Sequence, residues 1–431
     1  MTESASMPAA APLPAESARV EQSERATLKA RLRRAERMKR LKALGLIAPL
    51  FVFLLITFLV PIGDMLRRSF HDTELSETWP RVAGAIGQWE DRTQAPGEAV
   101  FAALAADLKA SHAERTAATA ARRLNYALDS GRSLVFGTAR KVVALDDAPA
   151  GGWKQAILDI DPRWADVEVW NAIDQASGPF TTYFLLQAVD LKKTAAGEIV
   201  AVDGGGAIFV DVLKRTFVVS ISVTVLSVLL AFPVAYLLAN LPPKYANPLM
   251  ILVLLPFWTS LLVRTASWVV LLQENGLVND TLLWLGLIDQ PIRMIYNRIG
   301  VYVAMTHILL PFMILPLYAV MKGISPRFVR AAVSLGASPT EAFIRVYLPL
   351  TLPGLAAGAM LVFILALGYY VTPALVGGAA DQMISYFIAF YTTDTVNWGM
   401  AAALGSVLLA TTLVLYGVYN RLVGINNMKL G

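Results

Sequence analysis

Six long apolar runs, set apart by polar segments, give this chain of 431 residues its outline. They cover 43–66, Thr216–Asn240, Met250–Leu272, Gly300–Val320, Leu355–Val376 and Ala401–Tyr419. About 20 apolar residues in helical conformation cross the hydrocarbon core of a bilayer, so each run predicts a transmembrane helix. Between the first two runs, residues 67–206 take on the mixed character of a soluble segment. Helical periodicity is visible there over Ala99–Lys109, Ala117–Leu128, Trp153–Asp159 and Ala165–Ile173, with Pro-Gly and Gly-Gly breaks between them. Roughly 140 residues suffice for a small domain with a core of its own. The expected fold is therefore all-α: a polytopic membrane protein of six helices, with a mostly helical insert between the first and second.

Charge orients this pattern. The N-terminal tail, 1–42, starts rich in Ala, Pro and Ser and ends in a run of Arg and Lys over 31–42. Bases flanking a span hold that side in the cytoplasm. Six spans then return the C-terminal tail, 422–431, to the cytoplasm and leave 67–206 on the opposite side of the membrane. The chain is 56% hydrophobic and only 16% charged, against about a quarter charged in soluble domains. A net charge of +5 calls for no nucleic-acid partner. The absence of cysteine excludes disulfides, thiolate metal sites and a cysteine nucleophile. His71, His112 and His307 are too scattered to suggest a metal site. No Gly-x-x-x-x-Gly-Lys phosphate loop occurs, so no ATP is expected on this chain by that route, and neither catalytic residues nor a bound cofactor are expected.

One polar segment has a grammar of its own. Between the fourth and fifth runs, 324–350 reads as two short helices around a glycine. Ser325 can cap the first helix with Pro326 at its first position, and Gly336 suits the left-handed turn that ends it. Ser338, Pro339 and Glu341 are placed to open the second with a capping box, and Pro349 and Pro353 to close it. This segment resembles the cytoplasmic coupling loop of permeases in ATP-binding-cassette importers. That loop reads Glu-Ala-Ala, three residues, Gly, nine residues, Ile, one residue, Leu-Pro. Here Arg330-Ala331-Ala332, Gly336, Val346 and Leu348-Pro349 fall in register, with Arg330 in place of the glutamate.

Other stretches resemble the first permease subunit of the spermidine/putrescine branch of these importers. They are Leu255 to Thr265 with Trp268, Leu310 to Ala319, and Ala366 to Gly378 followed by Asp381-Gln382-Met383. The resemblance spans about 205–425 plus the first run, and leaves the insert outside the pattern. It implies a type I importer core over 207–421. It also implies a second, similar permease completing the heterodimer, two copies of a cytoplasmic ATPase carrying ATP and Mg, and a periplasmic substrate-binding protein. Docking of the ATPase would fall to Arg327, Arg330, Ala331, Ala332, Gly336, Ala337, Ser338, Glu341, Leu348 and Pro349. A polyamine is the implied solute, and relatives of the branch also carry opines, amino-acid derivatives and phosphonates.

The candidate translocation path draws on polar and aromatic residues at membrane depth: Trp258, Ser260, Arg264, Trp268, Tyr369, Tyr370 and Thr372. Ser260, Arg264 and Trp268 are spaced to share a helix face. An arginine in an apolar span is costly unless paired or hydrated, so Arg264 either lines the path or braces helices. Tyrosine faces can hold ammonium groups or serve as interfacial anchors. His307 reads as a helix-packing hydrogen bonder. Two other classes stand beside the importer: a secondary transporter, which the docking hairpin argues against, and a membrane-anchored sensor, which would need a cytoplasmic output domain.

Overall fold

The computed structural model describes residues 36–40, 42–145, 149–202 and 204–423. Most of the basic tail and residues 424–431 of the C-terminal tail lie outside the described residues. Among the described residues, five helices are long and apolar enough to cross a membrane, or six if one bent pair counts as a span. The first, α1, runs Glu36–Arg68 with a wide π turn at Leu55–Leu59.

The insert is built of short helices: α2 (Glu74–Thr78), α3 (Pro80–Ala85), α4 (Glu98–Ala113), α5 (Ala117–Ala127), α6 (Gly131–Val143), α7 (Gly152–Ile160), α8 (Val167–Ser177) and α9 (Tyr183–Gln187). A two-stranded antiparallel ladder follows, β1 (Leu191–Lys193) with β2 (Ile199–Ala201). Periodicity located α4, α5, α7 and α8. It missed α2, α3 and α9, which are too short to show a period, and α6. Trp79, Phe101, Leu104, Trp164 and Trp170 fill the insert's core. Buried indoles need a partner for their N–H: Trp164 donates to Thr138 Oγ1 at 2.8 Å and Trp170 to the Trp164 carbonyl at 2.8 Å. The two ends of the insert are laced together, with Asp72 N–H donating to the Pro179 carbonyl and Thr181 N–H to that of Phe70.

The membrane helices are α10 (Phe209–Asn240), α11 (Pro243–Leu254), α12 (Leu261–Leu271), α14 (Arg298–Gly323), α17 (Leu348–Leu367) and α20 (Trp398–Val423). Shorter helices join them: α13 (Leu277–Trp284), α15 (Pro326–Ser334), α16 (Pro339–Ala342), α18 (Val371–Val376) and α19 (Ile384–Thr393). The helices α10, α14 and α17 share one core, with Val219, Val223, Leu309, Met313 and Val362 at its centre. Gly354 and Gly358 set the approach of α17 to α14. A Cβ at Gly354 would lie 2.8 Å from Val320, and one at Gly358 2.7 Å from the Met313 sulfur. Small residues at this spacing let membrane helices close where lipid supplies no hydrophobic drive.

Two expected spans are corrected. The third is not one rod: α11, with the 3₁₀ turn Leu255–Trp258, meets α12 at 99°. Pro256 removes a helical N–H, and Thr259 and Ser260 adopt ψ of 145° and 142°, so the chain turns. The fifth apolar run ends at Leu367, and α18 begins only after the break at Gly368–Tyr370.

The insert is joined to the membrane helices as well as packed on itself. Phe184 of α9 and Ala188 just after it lie in one core with Phe209, Val212, Ile384, Met400 and Leu404. Asp190, held at φ 58°, accepts from the N–H groups of Phe209 (2.9 Å) and Val210 (2.7 Å). A carboxylate on two open N–H groups stabilises a helix N-terminus. Asp190→Ala is expected to cost about 1–3 kcal/mol, from the lost cap and the left-handed backbone that alanine resists. Its measure is faster proteolysis between β1 and Phe209 than in Asp190→Asn, which keeps one acceptor. Equal rates for the two variants would show that the cap holds nothing.

Candidate functional site

The hairpin forms as its local signals dictate. Ser325 Oγ accepts from the Arg327 N–H at 3.4 Å and Ser338 Oγ from the Glu341 N–H at 3.2 Å. Between the helices Gly336 sits at φ 94°. The reciprocal half of the capping box is replaced: the Glu341 carboxylate pairs with Arg345 at 3.2 Å, one turn ahead. The expected stop at Pro349 is also corrected. The second arm passes through a π turn, Phe343–Tyr347, straight into α17, giving one apolar helix over Pro339–Leu367. In this wide turn Leu348 N–H bonds the Phe343 carbonyl, five residues back, and Pro349 falls at the start of the next helix. A proline there has no i−4 bond to lose.

Two features make the hairpin a handle. Its surface is apolar and exposed, with Leu335 at the tip at 89% and Phe328 at the start of α15 at 55%, and a concavity of about 380 Å³ runs between Ala332, Gly336, Ala337, Glu341 and Arg345. Arg327 and Arg330 are exposed on the same helix and form no ion pair among the described residues. Leu348 and Pro349, by contrast, lie in the membrane helix rather than on the tip. The inner end is anchored by stacked and edge-on rings: Phe343 and Tyr347 at 5.6 Å, with Tyr236 of α10 at 5.7 and 5.4 Å from them. Lys322 at the end of α14 donates to the Ala239 carbonyl of α10 at 3.2 Å. A push on the tip is therefore passed to α17 and α10 together.

The bend between α11 and α12 divides the candidate path residues. Trp258 and Ser260 lie at the bend and are exposed, Trp258 at 74%. Farther along α12, Trp268 Nε1–H donates to His307 Nδ1 on α14 at 3.1 Å, which leaves the ring's proton on Nε2 when the imidazole is neutral. Arg264, one turn before Trp268, lies within electrostatic reach of His307 and of Tyr369. Its Nε and one terminal nitrogen are buried with no hydrogen-bond partner among the described residues. Arg264, Trp268 and Tyr369 are thus brought together, with His307 completing the group. Tyr370 is 44% exposed just past them. Thr372 is corrected from a path residue to a brace: it is fully buried, its Oγ1 3.1 Å from that of Thr265 on α12.

Sequence reasoning passed over the clasp that follows α18. The Asp381 carboxylate accepts from Arg298 Nε at 2.9 Å, Arg215 donates to the Gln382 carbonyl at 3.1 Å, and Ile384 N–H donates to Thr216 Oγ1 at 2.9 Å. Gly377 and Gly378 permit it, since a Cβ on either would meet backbone oxygen at 2.6 or 2.7 Å. The paired glycines were the available signal. Their partners, far away in the chain, were not.

A helical membrane core with an anchored external hairpin and a cluster of polar and aromatic side chains at membrane depth defines a transport permease. The chain belongs to the family of binding-protein-dependent transport system inner membrane components, which it matches over residues 206–424. It is 34% identical over 223 residues to the spermidine/putrescine transport system permease protein PotB of Escherichia coli (strain K12), covering 52% of this chain and 81% of that one. To the protein of the same name from Haemophilus influenzae it is 35% identical over 218 residues, covering 50% and 76%. A crystal structure of a bacterial transporter that imports the acidic polysaccharide alginate superposes with a TM-score of 0.42 at 21% identity, covering 51% of this chain and 80% of that one. The chain is a membrane-embedded permease subunit of an ABC importer and not an enzyme.

Proposed function

We propose that the chain forms half of the translocation path of an ATP-driven importer for a polyamine, delivered by a periplasmic binding protein. The hairpin carries this reading. Its exposed tip, left-handed hinge and unbroken continuation into α17 suit it to turn ATPase closure into helix movement. A second permease would complete the path, and two ATPases carrying ATP and Mg would dock on the two hairpins. The termini and hairpin lie in the cytoplasm and residues 67–206 in the periplasm. A reporter active only outside the cytoplasm is expected to work when fused near Gly151 and to fail near Gly336. The reverse pattern sinks the topology and the docking with it.

The polyamine is supported by the names of the relatives and by the Tyr369 face, which can hold an ammonium group. One observation favours a second solute class. Arg264 presents buried N–H groups without an acceptor, and a carboxylate or phosphonate on an opine or amino-acid derivative would supply one. ATP-dependent uptake into proteoliposomes holding the complete importer separates the two. For a polyamine, Arg264→Ala is expected to leave spermidine uptake intact or raised, since a like charge leaves the path. Uptake of a carboxylate-bearing solute by the wild type that is lost in Arg264→Ala assigns the second class, and failure of both solutes in the wild type rejects both.

In the resembling coupling loops an acid stands where this chain has Arg330, so the facing groove of the partner ATPase is expected to carry an acid. Removing one partner of a buried interfacial charge pair costs about 2–5 kcal/mol. Arg330→Glu is expected to lose binding-protein-stimulated ATP hydrolysis and to regain it when the facing acid becomes Lys. Wild-type hydrolysis by Arg330→Glu alone would show that the charge has no coupling role.

A further inference from the structure

A cavity of about 440 Å³ lies where the insert meets the turn between α19 and α20, away from the Arg264 cluster. Its volume falls in the range of small-molecule sites. The insert contributes Arg122, Asn125, Tyr126, Arg132 and Tyr183, and the core contributes Tyr391 and Asp394. We propose that this cavity is a second small-molecule site, taking a short zwitterion that carries an ammonium and a carboxylate.

Charge selects the class. Arg122 is neutralised by Glu74 at 3.2 Å. Arg132 on the insert wall and Asp394 on the core wall form no ion pair among the described residues, with each other or with any third group. Among the described residues the Asp394 carboxylate accepts only the Thr393 hydroxyl, at 2.8 Å. One open cation and one open anion across a cavity complement a molecule with one of each charge, whereas a dication or dianion sets one of its charges against a like one. Aromatic rings supply the walls between them. Burial pushes the hydroxyls of Tyr126 and Tyr183 up to about 12, so both stay protonated donors at neutral pH. Tyr183 donates to the Tyr126 carbonyl at 2.7 Å and Tyr126 to that of Val396 at 3.3 Å, fixing the rings.

The backbone has been shaped at the same place. Val396 stands at φ 55°, a conformation that a β-branched residue adopts only under constraint. Strain of this kind persists where the surroundings over-determine it, and ligand clamps are one such setting. On the insert wall, a Cβ at Gly131 would sit 2.7 Å from the Asn125 backbone. Only glycine lets α6 start against α5, which brings Arg132 beside Asn125, whose Oδ1 accepts the Arg132 N–H at 3.3 Å. Occupancy would tie the insert to the start of α20 and so bear on any movement of that helix.

Three probes of equal carbon length decide the matter: 4-aminobutyrate (zwitterion), putrescine (dication) and succinate (dianion), titrated calorimetrically into the full-length permease in lipid nanodiscs. Saturable binding is expected for 4-aminobutyrate, tighter than for the other two by at least about tenfold. Arg132→Gln and Asp394→Asn, both at exposed positions, are each expected to weaken it by a similar factor. The swapped pair Arg132→Asp with Asp394→Arg is expected to recover it, because a zwitterion can bind reversed. No binding of 4-aminobutyrate, binding untouched by either single variant, or putrescine or succinate binding as well as the zwitterion would each overturn the proposal. The measurement needs no ATPase and no binding protein, so its outcome is independent of the transport reading.

Discussion

Gly336→Val is expected to remain in the membrane and to lose ATP-driven uptake. The position has φ 94° and no neighbouring atom within 4 Å of where a Cβ would stand, so the substitution brings strain without a clash. A β-branched residue held in that region costs about 1–3 kcal/mol. The hairpin can relieve the strain by swinging α15 relative to α16, because Leu335 beside the turn is 89% exposed. The membrane helices do not depend on this turn. Folding and insertion should therefore survive while the tip no longer fits its groove. Gly336→Asn tolerates the left-handed region and should keep most of the activity. Uptake and ATPase stimulation measured on equal amounts of membrane protein separate the cases. Valine transporting as well as glycine would mean that the turn angle does not matter to coupling.

The largest loss of stability is expected inside the insert, at Arg123. Its guanidinium is 1% exposed and donates from Nε to the Asp72 carboxylate, itself almost buried. The rings of Tyr183 and Phe184 lie 5.2 and 5.1 Å from the guanidinium carbon. Arg123→Met fills much of the volume but leaves the Asp72 carboxyl buried without the guanidinium. Removing one side of a buried pair typically costs about 3–5 kcal/mol, whereas replacing both by apolar groups is often neutral. Asp72 also accepts the Glu74 N–H at 3.1 Å, so that small bond is lost in the double variant. Arg123→Met is expected to expose the insert to protease at temperatures where the wild type resists. Asp72→Leu with Arg123→Met should recover most of that resistance. Equal sensitivity of single and double variants would show that packing around Phe184, rather than the charge pair, is what Arg123 supplies.

Local rules governed most of what could be read from the chain. A membrane span needs only enough contiguous apolar residues, because lipid accepts any side chain of that class. The caps at Ser325 and Ser338 and the turn at Gly336 involve residues two or three apart, so these parts of the hairpin were legible in the chain. The stop expected at Pro349 failed for a reason of geometry. A proline obstructs an i−4 bond, and the π turn before it shifts the bonding by one residue. The 99° bend at Pro256 had a visible cause but no visible magnitude, since the angle depends on what each arm packs against.

Contacts between distant residues set the rest. Trp268 meets His307 across 39 positions, Thr265 meets Thr372 across 107 and Asp190 reaches forward 19 to cap α10. Spacing placed Ser260 with the path and polarity at membrane depth placed Thr372 there, yet one fell outside the helix and the other turned inward. Neither outcome follows from spacing, because helix rotation is fixed by the neighbouring helix. The cavity at Arg132 and Asp394 belongs to the same category. Its walls are 262 positions apart at those two residues, and nothing along the chain relates them until Phe184 and Phe209 share a core. Apolar content sufficed to make this a membrane protein, whereas the partners of its buried polar groups were chosen by packing.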